Sequence, residues 1–250
     1  MGQPGSTSHC LLVLMTWVKV CGMTNLEDAL AAVEAGADAV GFVFYEKSPR
    51  CVSVETAREI VEKLPERVET VGVFVAESLM RAEEIGVHVK LDAVQIYTTS
   101  GPRILEVLED MRAWPPNRRK PGQTRIYLAL PISTLITEQV EKEGLTIEMQ
   151  DPQGEIVALL VDSGSGQQPG GTGVAFDWHQ AAATVAGLSR RHKVVIAGGL
   201  KPQNVGEAMG VLSPWGVDVS SGVETRPGKK DPEKVRDFVR AVREMDRRVG

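Results

Sequence analysis

Two side chains that can exchange protons stand at the ends of short apolar runs. Cys21 closes the run WVKVC, and Asp162 closes the run ALLVD. A thiol acts as a general base when nearby donors or charge favour its thiolate, and a carboxylic acid can donate a proton to a reacting group. Each residue also has a plainer interpretation, because a lone cysteine is often a small buried hydrophobe and Asp-Ser-Gly is typical of a turn. We take the pair as a candidate base and acid.

Small and hydroxylated residues follow two other apolar runs. Gly198 and Gly199 come after run 194–197, and Ser220, Ser221 and Gly222 come after run 216–219. Backbone N–H groups at such positions can approach a phosphate closely, and the N-terminus of a short following helix would add a favourable dipole. The two loops therefore predict a site for a phosphorylated small molecule. The alternative is that the glycines only make tight turns.

Arg50 ends the segment KSPR, which follows another apolar run. Its planar guanidinium could bind a carboxylate through two parallel hydrogen bonds. The alternative is an exposed loop arginine without a ligand.

Composition narrows the class of protein. The chain has 250 residues, a net charge of -5 and 5% aromatic residues. An acidic chain lacks the basic surface of nucleic-acid-binding proteins, so no nucleic-acid partner is expected. Three cysteines are too few and too scattered for a disulfide framework or a zinc site, and the four histidines have no metal-ligand spacing. We therefore expect no metal site and a reducing, cytoplasmic location.

Eight short apolar runs alternate with helical stretches and must position these residues. The runs are continuously apolar, which is typical of parallel strands buried on both faces. The alternation predicts an α/β fold, a single closed (β/α)8 TIM barrel, whose catalytic residues lie at the C-terminal ends of the strands. An open doubly wound sheet is the rival, although no G-x-G-x-x-G follows the first strand. The runs are 17–21, 39–44, 70–75, 93–96, 126–130, 158–161, 194–197 and 216–219.

Two helices carry readable end signals. Thr24 and Glu27 are spaced as a capping box, and Gly36 can end that first helix. In the last helix Asp231 can cap the N-terminus, with Pro232 at the first helical position. An apolar stripe on this last helix comprises Val235, Phe238, Val239 and Val242.

Three segments lie outside this pattern. The apolar run 10–20 is too short to cross a bilayer and lacks preceding basic residues, so no membrane association is expected. We interpret residues 1–14 as a disordered extension before a barrel domain at 15–250. Segment 114–124 is a polar, proline-rich loop, and 141–155 reads as a hairpin leading into the sixth strand.

In order along the chain, several segments together resemble the phosphoribosylanthranilate isomerase family of the tryptophan pathway, from about Val18 to the C-terminal helix. The most specific segments are VKVCGMTNLEDALAAVEAGADAVGFVFYEKSPR, LLVDS, GGTG, IAGGLKPQNV and VDVSSGVETRPGKKD.

The resemblance implies an Amadori rearrangement of N-(5-phosphoribosyl)anthranilate to 1-(2-carboxyphenylamino)-1-deoxyribulose 5-phosphate, without a cofactor. It makes Cys21 the base and Asp162 the acid, Arg50 the anchor for the anthranilate carboxylate, and Asp218 an active-site aspartate. The loops at Gly198, Gly199, Ser220, Ser221 and Gly222 would hold the phosphate. The family occurs as monomers and dimers, so either state is expected here.

One residue departs from the family pattern, because Tyr97 stands where a histidine is usual. Two rival functions remain open. One is the related phosphoribosyl isomerase of histidine biosynthesis, whose acid and base are both aspartates. The other is a non-catalytic barrel that binds a phosphometabolite.

Overall fold

The computed structural model describes residues 15–75, 77–98, 125–136, 156–164 and 175–249. Eight strands and seven α-helices within those ranges build one barrel. In chain order they are β1 (Trp17–Cys21), α1 (Leu26–Glu34), β2 (Ala39–Val43), α2 (Val54–Val61), β3 (Glu69–Val75), α3 (Leu79–Val89), β4 (Ala93–Tyr97), β5 (Arg125–Pro131), α4 (Ile132–Ile136), β6 (Ile156–Asp162), α5 (Trp178–Ser189), β7 (Lys193–Ile196), α6 (Val205–Leu212), β8 (Gly216–Val219) and α7 (Pro232–Val249). Between β8 and α7 lie a 3-10 turn (Ser221–Val223) and a small antiparallel pair, β9 (Glu224–Arg226) and β10 (Lys229–Lys230).

The eight strands form a closed barrel in sequence order, with β1 pairing in parallel with both β2 and β8. The closed single barrel is therefore confirmed, and the open doubly wound sheet is wrong. Each apolar run coincides with a strand to within two residues at either end. The apolar runs predict the strand positions reliably because strands buried on both faces contain few polar residues.

The helix-end predictions have mixed outcomes. α1 is capped by Asn25, whose side chain accepts a hydrogen bond from the Asp28 N–H, so the Thr24–Glu27 capping box is wrong. The Thr24 hydroxyl instead donates to the Gly228 carbonyl. Gly36 ends the helix with a φ of +93°, as expected of a glycine that follows the C-cap.

α7 begins as the sequence indicates. Asp231 Oδ1 accepts hydrogen bonds from the Glu233 and Lys234 N–H groups, which confirms the cap. The apolar stripe on α7 is buried, comprising Val235, Phe238, Val239 and Val242.

Strand alternation divides the core into two layers. On β1, Val18 and Val20 belong to the large aliphatic cluster that contains the stripe of α7. Lys19 and Cys21 have the opposite parity and so point into the barrel interior. Because β1 pairs with β2 and β8, its interior residues lie beside theirs, with Lys19 in register with Asp218 and Cys21 with Gly41.

No helix of the described part of the chain is long and apolar enough to span a membrane. Segments 1–14, 114–124 and 141–155 and the GGTG motif at 170–173 lie outside the described residues. The boundary between extension and barrel domain therefore stays a prediction.

Candidate active site

Cys21 and Asp162 both lie at the C-terminal mouth of the barrel. Each is the last residue of its strand, β1 or β6, and their exposures are 8% and 7%. Cys21 shares a small buried cluster with Val43 of β2 and Val73 of β3. The structure thus brings the two residues to one end of the interior, as parallel strands of a closed barrel require.

Beneath them lies an ionic network inside the barrel. Lys19 Nζ donates to Asp218 Oδ2 at 2.9 Å and to Gln95 Oε1 at 2.8 Å. Lys19 is 1% exposed, so this ammonium has left bulk water. The second oxygen of Asp218, Oδ1, is buried and without a hydrogen-bond partner among the described residues. That oxygen can accept a hydrogen bond from a bound ligand.

Asp162 is an unusually weak acid for an aspartate. Burial raises its pKa to about 6, helped by the negative charge of Asp218 and opposed by a hydrogen bond from the Gly164 N–H at 2.6 Å and by the charge of Lys19. The hydrogen bond from Gly164 is the turn suggested by Asp-Ser-Gly, so the turn and the titratable site coexist. A carboxyl with a pKa near neutrality can hold a proton and release it during turnover.

Cys21 is held as a thiol more strongly than a free cysteine. Burial raises its pKa, and Asp218 adds to this effect, while the positive charges of Lys19 and Lys230 oppose it. A thiolate at Cys21 therefore depends on the cations around it.

Arg50 is almost buried beside Cys21 and is not an exposed loop arginine. Its Nε and Nη2 donate to the two oxygens of Glu224 at 2.9 and 2.7 Å. Glu224 Oε1 also accepts a hydrogen bond from Lys230 Nζ at 2.8 Å. The Arg50 side chain crosses Gly22, where a Cβ would come within 2.7 Å of Arg50 Cδ. This trio of Arg50, Glu224 and Lys230, hereafter the Arg50 cluster, carries a surplus of positive charge.

The two candidate phosphate loops lie against each other. A Cβ at Gly222 would overlap the Leu200 carbonyl, so the loop after β8 touches the loop after β7. Gly198 and Gly199 have φ values of +82° and +66°, and a Cβ at Gly198 would collide with Ser163. Close packing therefore explains why these positions are glycine, independently of any role in binding.

Backbone donors are available in these loops. Among the described residues, none accepts a hydrogen bond from the N–H groups of Gly199, Ser221 or Gly222. The Ser220 hydroxyl donates to the Cys21 carbonyl at 3.0 Å. The predicted short helix after β8 is only a 3-10 turn, which is too short for a helix dipole to matter.

Four residues of the site were missed by sequence reasoning. Lys19 could have been found, because it is a charged residue in a buried strand two positions before Cys21. Gln95 is likewise a polar residue of a buried strand, β4, but its amide alone signals no chemistry. Glu224 and Lys230 had no such signal, because they lie in a polar segment that reads as an exposed loop.

Tyr97, the departure from the family pattern, ends β4 and is 3% exposed. It belongs to an interior cluster with Tyr127 and Ala129. Within the described residues no group of three His, Cys, Asp or Glu side chains is arranged to hold a metal ion.

Comparisons with known sequences lead to one family. A family model described as N-(5'-phosphoribosyl)anthranilate isomerase matches residues 18–115 and 123–241. The N-(5'-phosphoribosyl)anthranilate isomerase of Citrifermentans bemidjiense is 39% identical over 231 residues, which cover 92% of this chain and 98% of the relative.

Solved structures give the same result. A phosphoribosyl anthranilate isomerase in complex with reduced 1-(o-carboxyphenylamino)-1-deoxyribulose 5-phosphate is 35% identical, with a TM-score of 0.69 and coverage of 92% of this chain and 100% of the other. Monomers generated from the dimeric enzyme of Thermotoga maritima are 34% identical, with a TM-score of 0.69 and coverage of 92% and 99%.

Proposed function

Because the chain belongs to the N-(5'-phosphoribosyl)anthranilate isomerase family, we propose that Cys21 and Asp162 are the base and acid of that family's reaction here. The enzyme isomerises N-(5-phosphoribosyl)anthranilate to 1-(2-carboxyphenylamino)-1-deoxyribulose 5-phosphate in tryptophan biosynthesis. The observation that supports the residue assignment is the placement of a buried thiol and a buried carboxyl at the same mouth of the barrel.

The proposed reaction has two proton transfers. Asp162 donates its proton to the furanose ring oxygen, the C1–O bond breaks, and the anthranilate nitrogen supplies the electron pair that leaves an iminium at C1. The Cys21 thiolate then removes the proton from C2, forming an S–H bond, and the C–H electrons neutralise the iminium as an enolamine. Tautomerisation moves the proton of the C2 hydroxyl to C1 and gives the ketone, after which Cys21 releases its proton to solvent and Asp162 takes one up. A carboxyl whose pKa is about 6 suits the first step, because it stays partly protonated near neutral pH.

The Arg50 cluster is the proposed site for the anthranilate carboxylate. Two of the guanidinium nitrogens of Arg50 are held by Glu224, which fixes the plane of the group next to Cys21. Lys230 shares the same carboxylate, so the cluster of two cations and one anion retains a positive charge. A fixed guanidinium binds a carboxylate with less loss of side-chain entropy than a free one.

The loops after β7 and β8 are the proposed phosphate grip. Gly198, Gly199, Ser221 and Gly222 would present backbone N–H groups, whereas Ser220 would contribute its backbone, because its hydroxyl is already bonded to Cys21. Asp218 Oδ1 is the proposed acceptor for a substrate hydroxyl, since it is buried without a partner among the described residues.

The partner of this enzyme is therefore a phosphoribosyl small molecule. The solved relatives include a dimeric enzyme and monomers made from it, which matches the expectation of a monomer or a homodimer. Light scattering of the purified chain distinguishes the two states. We place the enzyme in the cytoplasm because its mechanism needs a reduced Cys21 thiol.

Turnover of the family's substrate tests this function. Anthranilate and ribose 5-phosphate are condensed to the substrate in solution, and the loss of its fluorescence is followed after addition of the pure chain. We expect a rapid, enzyme-dependent decay that is lost in the double variant C21S/D162N. Wild-type decay in that double variant would remove both residues from the mechanism.

A further inference from the structure

Lys19 is a buried cation with no role in the proton transfers described above. It lies inside the barrel on β1, two residues before Cys21, so both side chains point into the interior. Its ammonium bonds Asp218 on β8 and Gln95 on β4, and these two acceptors hold it below the mouth.

A contribution to the stability of the fold is a weak explanation for burying Lys19 and Asp218 as an ion pair. A buried ion pair loses the hydration of both charges, and apolar residues of similar volume often serve a fold equally well. Here the pair is also incomplete, because Asp218 Oδ1 is buried without a partner among the described residues. Buried charges that do not complete their hydrogen bonds are typical of functional sites.

The charge of Lys19 acts on the thiol above it. Lys19 lies two residues before Cys21 on the same face of β1, and its positive charge favours the thiolate. Burial and Asp218 act in the opposite direction and outweigh it, so the pKa of Cys21 is still raised. Burial works against the charge of Lys19 too, but Asp218 and Cys21 keep the pKa of Lys19 above its usual value.

The other groups around Cys21 leave Lys19 as the main source of positive charge inside the barrel. Lys230 on β10 also favours the thiolate, but more weakly than Lys19. Cys21 shares a cluster with the uncharged Val43 of β2 and Val73 of β3, and the Tyr45 phenol packs against this cluster. Arg50, which crosses Gly22, is paired with Glu224. Asp162 on β6 responds to the charges of Lys19 and Asp218.

We propose that Lys19 is a positioning residue for proton abstraction: its ammonium, held by Asp218 and Gln95, stabilises the Cys21 thiolate that removes the C2 proton. Lys19 remains protonated throughout and exchanges no proton with the substrate. The same contact gives Asp218 a second task, because one of its oxygens fixes Lys19 while the other faces the ligand. This inference depends on the proposed role of Cys21 as the base.

Alkylation of Cys21 tests the inference without using catalysis. The other two cysteines are first removed in a C10S/C51S background, and the rate of reaction with iodoacetamide is measured against pH. The midpoint of this profile reports the ionisation of Cys21.

In K19M we expect the midpoint to rise by about one pH unit or more, because a neighbouring positive charge is lost. K19R keeps the charge and should restore part of the shift. K193M is the matched control, since Lys193 begins β7 at the opposite end of the barrel and lies over Trp215. A folded K19M protein with an unchanged midpoint would overturn the inference.

D218N provides a second test of the same electrostatic link if K19M does not fold. Removing the negative charge of Asp218 should lower the midpoint, since that charge raises the pKa of the thiol. An unchanged or higher midpoint in folded D218N would contradict the electrostatic link through this pair.

The catalytic assay separates this inference from the proposed function. If C21S keeps its activity while K19M moves the alkylation midpoint, Lys19 tunes the thiol but the base is another residue. If C21S is inactive and K19M leaves the midpoint unchanged, the base assignment stands and the role of Lys19 is wrong.

Discussion

The two ends of the barrel differ in whether their buried polar groups have hydrogen-bond partners. At the N-terminal face, where the strands begin, Tyr127 donates to Glu69 at 2.9 Å and Arg125 bonds the same carboxylate at 3.1 Å. Trp17 stacks on Tyr127 with ring centroids 5.6 Å apart. At the C-terminal mouth, Asp218 Oδ1 and Ser163 Oγ are buried with no hydrogen-bond partner among the described residues.

This difference separates stability from function within one fold. Both ends bury ionisable groups, but the groups at the N-terminal face satisfy one another, as a structural network does. At the mouth, burial raises the pKa of Asp162 to about 6 and also raises the pKa of Cys21. Such groups cost stability and are retained where they meet a ligand. Changes at the mouth should therefore alter turnover, whereas changes at the N-terminal face should alter unfolding.

The largest effect is expected from Cys21→Ser. A serine hydroxyl is too weak a base to replace a thiolate, so kcat should fall by about 10²-fold or more, as is usual when a general base is removed. Serine has the same bonding pattern as cysteine with a slightly smaller terminal atom, so the melting temperature should change little. A C51S variant, which removes the exposed cysteine beside Arg50, is the matched control and should keep its kcat. Near wild-type kcat in C21S would show that the thiol is not the base.

Arg50→Ala should act on substrate binding. Loss of a charge-assisted contact of about 1.5–3 kcal/mol raises KM by about tenfold or more, provided the contact is equal in the ground and transition states. Arg58→Ala is the control, because Arg58 lies exposed on α2 in an ion pair with Glu62.

A substrate made from aniline, without the carboxylate, sharpens this prediction. R50A and the wild type should handle that substrate equally, since the contact with Arg50 no longer exists. If R50A impairs both substrates to the same extent, Arg50 acts on something other than the carboxylate.

Glu224→Gln should have a smaller effect of the same kind. Glutamine keeps one acceptor for Arg50 but loses the charge and the second acceptor, so the guanidinium is less firmly fixed. We expect KM to rise by about two- to fivefold, consistent with a weakened hydrogen bond of under 1 kcal/mol. The effect should vanish in the R50A background, and an additive effect there would indicate that Glu224 acts independently of Arg50.

Tyr127→Phe tests the other end of the barrel. The variant removes the hydroxyl that bonds Glu69 and leaves a buried carboxylate with one partner fewer. We expect the free energy of unfolding to fall by about 1–2 kcal/mol, measured by chemical denaturation, with kcat and KM unchanged. A large loss of kcat at unchanged stability would contradict the claim that the N-terminal face serves stability and the mouth serves turnover.

The sequence was most informative where burial on both faces restricts the residue types. The strands follow directly from their apolar runs, and Cys21 and Asp162 were found because they stand where those runs end. Lys19 was readable in principle, because strand parity places it on the same side as Cys21. The role of Glu224 could not be read from the sequence. Only the folded chain brings Glu224, in the segment after β8, to Arg50 after β2. The cap of α1 was misplaced by one residue because Thr24 and Asn25 are both good caps, and the bond from Thr24 to Gly228 depends on tertiary structure.

The pH dependence of D162N compared with the wild type tests most directly whether Asp162 and Cys21 act as an acid–base pair. The competent form needs Asp162 protonated and Cys21 ionised, although the pKa of Asp162, about 6, lies below the raised pKa of the thiol. For such a pair kcat/KM rises up to pH about 6, stays level, and falls above the thiol pKa. In D162N we expect kcat to fall by about 10²-fold or more and the inflection near pH 6 to disappear, so that the residual rate rises until the thiol ionises. An inflection caused by the substrate phosphate would persist in the variant. If D162N keeps both a near wild-type kcat and the inflection, Asp162 is not the acid.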